Sequence, residues 1–234
     1  MPVNKSLKAV LFLVASAILT RLIPFSSWFR TLDTMIHEFG HAVVTLLLSG
    51  RVLRIELNAD HSGTTYSYLS SGWSSVLVSL SGYTIASIFA VLLFYGYAKR
   101  KQAAGLILIT LLAAVNLLFF VRNSYGVWWL VIFMALNIVF YLLGSTVRNF
   151  YYLLLAFLCL EESVVGPLTL AITSLTNPRQ AGDAANLAHM TVLPAIAWSV
   201  LFLLFALWCT TQSLTLFWRK PARKPAANTS MRTG

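Results

Sequence analysis

Thr31-Leu32-Asp33-Thr34-Met35-Ile36-His37-Glu38-Phe39-Gly40-His41-Ala42-Val43-Val44-Thr45-Leu46-Leu47-Leu48-Ser49 is an apolar stretch with ionisable residues at its centre. Residues four apart on an α-helix lie on one face, so His37 and His41 can aim imidazole nitrogens at one ion. Glu38 then projects beside them toward a metal-bound water. Given the few His and Glu residues in this chain, the triplet arises by chance in roughly one such sequence per thousand. Ionisable groups at bilayer depth are costly and are usually retained for function, which favours a metal site over a self-satisfied cluster in a helix bundle.

The stretch sits in a chain built for lipid. Of its 234 residues, 58% are hydrophobic and 10% charged, and the mean hydropathy of +0.77 fits no water-soluble globule. A bilayer core is about 30 Å thick and takes roughly 20 apolar helical residues to cross. About seven stretches qualify, over residues 9–25, 31–49, 73–98, 103–121, 126–144, 149–174 and 190–213, which predicts an all-α polytopic membrane protein of about six or seven transmembrane helices. The first stretch ends at Arg21 and Pro24 without a small-residue cleavage pattern, so it reads as a retained span.

The net charge of +10 lies in short connections and in the tail, where Lys and Arg set orientation. It therefore argues for a lipid bilayer as partner and against nucleic acid. If every stretch spans, Arg30, Lys99 to Lys101, Arg148 and the basic tail share one side, which favours a cytoplasmic C-terminus; the basic N-terminus argues for its own cytoplasmic placement. Cys159 and Cys209 fall within apolar runs and imply no disulfide framework. Residues 1–218 read as one membrane-embedded domain and 219–234 as a basic, disordered tail.

After the second stretch the pattern changes. Arg51 to Leu57 mixes polar and apolar residues, Asn58 to Gly63 supplies turn residues, and Thr64 to Tyr68 is rich in strand formers, which predicts a β-hairpin directly after the His-bearing helix. Gly50 suits a left-handed helix end, and Gly40 suits a close helix crossing.

A catalytic zinc has three protein ligands and an open position, so a third ligand must come from elsewhere. Three acids compete. Glu161 and Glu162 lie about halfway along 149–174, and depth favours them. Asp183 follows the polar connection Asn177 to Gly182, where N-capping of the last helix is its ordinary role. Pro167, after Gly166, can break the stretch 149–174; a re-entrant fold there would bring Asp183 to the side where the His37 helix starts. His61 and His189 have no partner at ligand spacing. Asp33, one turn before His37, suits either a favoured acid near the helix start or an acceptor that orients the imidazole.

The motif with Ala42, the exit Ser49-Gly50-Arg51-Val52, the hairpin, Ser81-Gly82-Tyr83 and Gly182-Asp183-Ala184 together resemble the site-2 protease family of intramembrane zinc metallopeptidases, in a compact bacterial-type branch. The resemblance spans most of residues 31–200. It implies a metallopeptidase-like domain in a bacterial cell membrane, Zn2+ held by His37, His41 and an Asp, and Glu38 as the catalytic residue. The Asp counterpart is Asp183, after Asn177-Pro178, which moves it ahead of Glu162 and Glu161. The resemblance further implies a membrane-protein substrate whose unwound segment pairs with the hairpin edge. Gly82 and Ala86 read as close-packing positions.

Three functions follow in order of preference: intramembrane proteolysis with a Glu38-activated, zinc-bound water; a catalytically silent homologue that binds membrane proteins; and a metal or small-solute transporter. The last would need more polar residues through several helices than Asn116 and Asn137 offer. Nothing in the residues names the substrate-binding positions or the oligomeric state.

Overall fold

A computed structural model describes residues 5–219, so residues 1–4 and all of the basic tail beyond Arg219 lie outside the described residues. The chain opens with α1 (Lys5–Ala17), which passes into a π-helical turn (Ile18–Leu22) before α2 (Ser26–Leu47). Pro24 sets the break between them. The residue before a proline is driven out of helical conformation, and Ile23 is extended at φ −101°, ψ 151°. Phe25 then adopts φ 65°, and the two helical segments meet at 105°. The first two apolar stretches therefore form one bent pair, a broken span or a re-entrant loop.

β1 (Arg51–Leu57) and β2 (Gly63–Tyr68) follow as the predicted antiparallel hairpin, paired from Arg51 opposite Tyr68 to Leu57 opposite Gly63, with an irregularity at Leu53. The turn between α2 and β1 differs in detail from expectation. Ser49 holds the left-handed position at φ 58°, whereas Gly50 is needed for space, since a Cβ there would lie 2.9 Å from the Thr45 side chain and carbonyl.

The remaining helices are α3 (Gly72–Ala98), α4 (Gln102–Val115, continuing through a π-helical turn to Phe120), α5 (Ser124–Leu142), α6 (Ser145–Thr176), α7 (Gly182–Met190) and α8 (Ala195–Trp218). Five are long and apolar enough to cross a membrane, namely α3, α4 with its extension, α5, α6 and α8, and the bent pair makes a sixth if it counts as one span. Leu108, Ile132 and Leu204 are among the exposed apolar side chains, as expected where the solvent is lipid. Cys159 and Cys209 are buried free thiols.

The break considered at Pro167 does not occur. α6 runs unbroken for 32 residues with Pro167 buried inside it. Neighbouring helices and local adjustments make an internal proline tolerable in a membrane helix. The last apolar stretch forms one helix, α8, which begins after Pro194, and a separate short helix, α7, precedes it and ends at Met190.

Glu161 and Glu162 bind the bent pair to α6. Arg21 Nη2 and Arg30 Nε donate to the two oxygens of Glu162 at 2.6 and 3.0 Å, and Thr20 Oγ1 donates to Glu161 at 2.7 Å. The Glu162 side chain is only 6% exposed, so two guanidinium partners offset a desolvation cost that an isolated carboxylate at this depth would carry.

Candidate metal centre

α2 places His37 and His41 on one face, and their Nε2 atoms stand 3.0 Å apart. Asp183 Oδ2 completes a triangle at 3.1 Å from His37 Nε2 and 3.3 Å from His41 Nε2. All three donor atoms lie within 4.8 Å of one another. Asp183 does not cap a helix: Ala181 occupies the N-cap position of α7, and Gly182, at φ 42°, takes a turn that favours glycine and directs the next side chain toward the imidazoles. Two imidazole nitrogens and a carboxylate oxygen converging this closely fit a shared cation, and the His2Asp donor set suits zinc. Asp183 Oδ2 is buried and has no ordinary hydrogen-bond partner, as a ligand atom should.

The supporting contacts explain the aim of these groups. His41 Nδ1 donates to the Val78 carbonyl of α3 at 2.7 Å, which leaves Nε2 with its lone pair toward the cluster. Ser81 Oγ donates to the same carbonyl at 2.6 Å. Tyr83 packs edge-on against His37, with ring centroids 4.5 Å apart. Asp33 makes no hydrogen bond to His37 among the described residues; its Oδ1 is buried and unpaired.

Glu38 stands beside the cluster without joining the triangle, 5% exposed and lining the same cavity, of about 490 Å³. The hairpin holds it. Thr65 Oγ1 donates to Glu38 Oε2 at 2.6 Å and to its backbone carbonyl at 3.0 Å, and a Cβ at Gly63 would come within 2.7 Å of Glu38 Oε1. The hairpin turn also reaches α2 directly, because Thr34 Oγ1 donates to the His61 carbonyl at 2.8 Å. Partial burial, then the nearby Arg30 charge, lowers the His61 pKa, which favours the neutral ring at the cavity wall. Bonds from Ser62 hold the Asp60 carboxyl below its usual range and pin the turn.

Sequence reasoning missed Thr65, Gly63 and Val78, whose roles depend on contacts across elements. It also read Gly82 as a packing position alone. In the fold a Cβ at Gly82 would overlap His37 Nε2 and come within 2.7 Å of His41 Cε1, so α3 can approach the imidazole pair this closely only as glycine. Gly82→Ala should therefore lower zinc affinity by about 10–100-fold, the range seen when ligand orientation is disturbed. Competition with a chromophoric chelator measures it; unchanged affinity would mean that the imidazoles yield without consequence. Gly40 lies at a close crossing with α3, as expected, because a Cβ there would stand only 3.1 Å from Ile85 Cβ and 3.3 Å from the Ser81 carbonyl oxygen.

The acids favoured by depth are engaged elsewhere. Glu162 lines the cavity but is paired with Arg21 and Arg30, and Glu161 lies against Thr20 and Arg21. Asn177 ends α6 and does not line the cavity, whereas Asn186, one turn beyond Asp183, does. His189 lies outside this cavity, lining its neighbour.

No curated protein and no solved structure matches the chain. The family described as Peptidase M50B-like matches residues 7–213, a region that contains His37, Glu38, His41 and Asp183 and nearly all of every candidate span. With the match running through nearly the whole of the described fold, this multi-pass membrane protein belongs to the peptidase M50B-like family of intramembrane, site-2 protease-type metalloproteases.

Proposed function

We propose that the protein is an active zinc metalloprotease that hydrolyses a peptide bond of a membrane-spanning substrate, with His37, His41 and Asp183 as zinc ligands and Glu38 as general base. The observation that carries this reading is the convergence of the three donor atoms beside a separately held carboxylate in one cavity. Zinc, when bound, supplies a Lewis acid that polarises a carbonyl and lowers the pKa of water from about 15.7 to about 7.

The protein's own groups divide the remaining work. Glu38 takes a proton from the attacking water and passes it to the leaving amine. Thr65 orients the carboxylate through its Oε2, leaving Oε1 for that exchange. The Val78 carbonyl keeps the His41 ring in one orientation through the reaction.

A helical peptide bond is shielded, so the substrate must be extended where it is cut. Strand addition offers that conformation, and the hairpin has one edge for it. The outer edge of β1 is occupied: Ile55 bridges to Val121, Arg122 N donates to the Ile55 carbonyl, and the Asn123 side chain bonds both backbone groups of Leu57. β2 has no such backbone partner among the described residues, and its Gly63, Thr64 and Thr65 line the cavity. We assign the substrate strand to β2.

The test is reconstitution of the zinc-loaded protein in liposomes with a designed single-span polypeptide, with products identified by mass spectrometry. Cleavage within or beside the span is expected. Zinc binding together with intact polypeptide across a varied set of spans would instead favour the catalytically silent homologue.

A further inference from the structure

The cavity at the metal centre does not end at Glu38. A second cavity, of about 350 Å³, continues from it along β2, and the two share Thr65, Val78, Ser79 and Asn186. Ser75 and Ser79, one turn apart on α3, form one wall; Asn186 and His189, three apart on α7, form the other; Ser67 of β2 lies between them. Leu69, Val78 and Met190 complete the lining, so the trough sets a few hydrogen-bonding groups among apolar ones. No carboxylate lines it, although four line the first cavity.

Ser79 stands at the junction. The residue is 6% exposed, yet its hydroxyl has no hydrogen-bond partner among the described residues and is not sealed away from the cavities it lines. Elsewhere on α3, Thr84 bonds back to the Leu80 carbonyl and Ser81 to that of Val78, while Ser87, also unpaired, is sealed in the core. A hydroxyl that opens onto a cleft is free to bond a polar group that enters it. It also adjoins Val78, whose carbonyl orients His41, which puts it within a residue or two of any bond cut at the metal centre.

We infer that the trough is a specificity subsite for one flank of the cleaved segment, reading a hydrogen-bonding side chain through Ser79 and Asn186. This deepens the proteolytic reading and rests on it. The substrate class that fits is a membrane-spanning polypeptide cut where its apolar span gives way to polar residues, because the trough opens at the first turns of α3, a helix end, and not along an apolar helix face. A uniformly apolar segment would bury Ser79, Ser75 and Asn186 without partners.

The test uses zinc-loaded full-length protein in liposomes and a set of single-span polypeptides that differ only in the residues flanking the cleaved bond. Wild type should prefer Ser, Thr or Asn over Leu by about tenfold or more at one position on one flank. Ser79→Leu should reverse that preference, and Ser79→Ala should flatten it, with zinc content unchanged in both. The same product profile in all three proteins would overturn the subsite. Occupancy is read separately, without hydrolysis, in the Glu38→Gln background. Met190→Cys, at the far end of the trough, should form a disulfide with a cysteine on the selected flank of the polypeptide when diamide is added as the two-electron oxidant. Absence of that cross-link, while Thr64→Cys at the strand edge forms one, would also overturn it. Cross-linking through Met190→Cys with no hydrolysis by wild type would leave the trough standing and remove the proteolytic reading instead.

Discussion

Glu38→Gln is expected to retain zinc at the wild-type stoichiometry and to lose cleavage by about 10²–10⁴-fold, the usual contribution of a positioned general base. That loss corresponds to about 3–5 kcal/mol of barrier. The substitution is nearly isosteric, and the oxygen of the new side-chain amide can still accept from Thr65, so the hairpin contact survives while the proton acceptor is gone. Zinc retention follows because Glu38 is not one of the three converging ligands. The measurement is kcat/KM on a single-span polypeptide in liposomes, with metal content determined on the same preparation. Equal cleavage by both proteins would remove Glu38 from the chemistry, and a variant stripped of zinc would make it a ligand instead.

Asp183→Asn should lower zinc affinity by more than about 100-fold, beyond the range for disturbing a group that merely orients a ligand. It removes the only anionic member of the triangle, whose oxygen lies 3.1 and 3.3 Å from the two imidazole nitrogens. Glu162→Gln is the matched control. It removes a carboxylate from the same cavity, but one already held by Arg21 and Arg30, so zinc should remain bound and the cost should emerge as a lower unfolding midpoint in detergent. Chelator competition on the two variants decides between them. Retention of metal by Asp183→Asn together with its loss from Glu162→Gln would return the third ligand to α6.

The contest between those acids explains why only part of the centre is legible in the sequence. Depth along an apolar run is a sound argument for Glu161 and Glu162, because a carboxylate there needs a counter-charge. The counter-charges are Arg21 and Arg30, brought to α6 by a bend at Pro24 and Phe25. Residues 21 and 162 are 141 positions apart, and no local pattern links them. By local rule Pro167 is the more disruptive of the two prolines, yet packing keeps α6 whole, whereas Pro24, between shorter segments, marks a real break. Thr65 illustrates the same limit within the site: its strand is legible from composition, its bond to Glu38 is not.

What the sequence by itself determined is the lipid setting, the helical class, the hairpin and the His37-Glu38-His41 face, since each rests on composition or on a period of a few residues. Only the tertiary structure decided which acid meets the imidazoles, which strand edge is open, and why residue 82 must lack a side chain. These depend on where separate helices cross, and a crossing is set by the packing of whole faces and the bends between them, which no local stretch encodes.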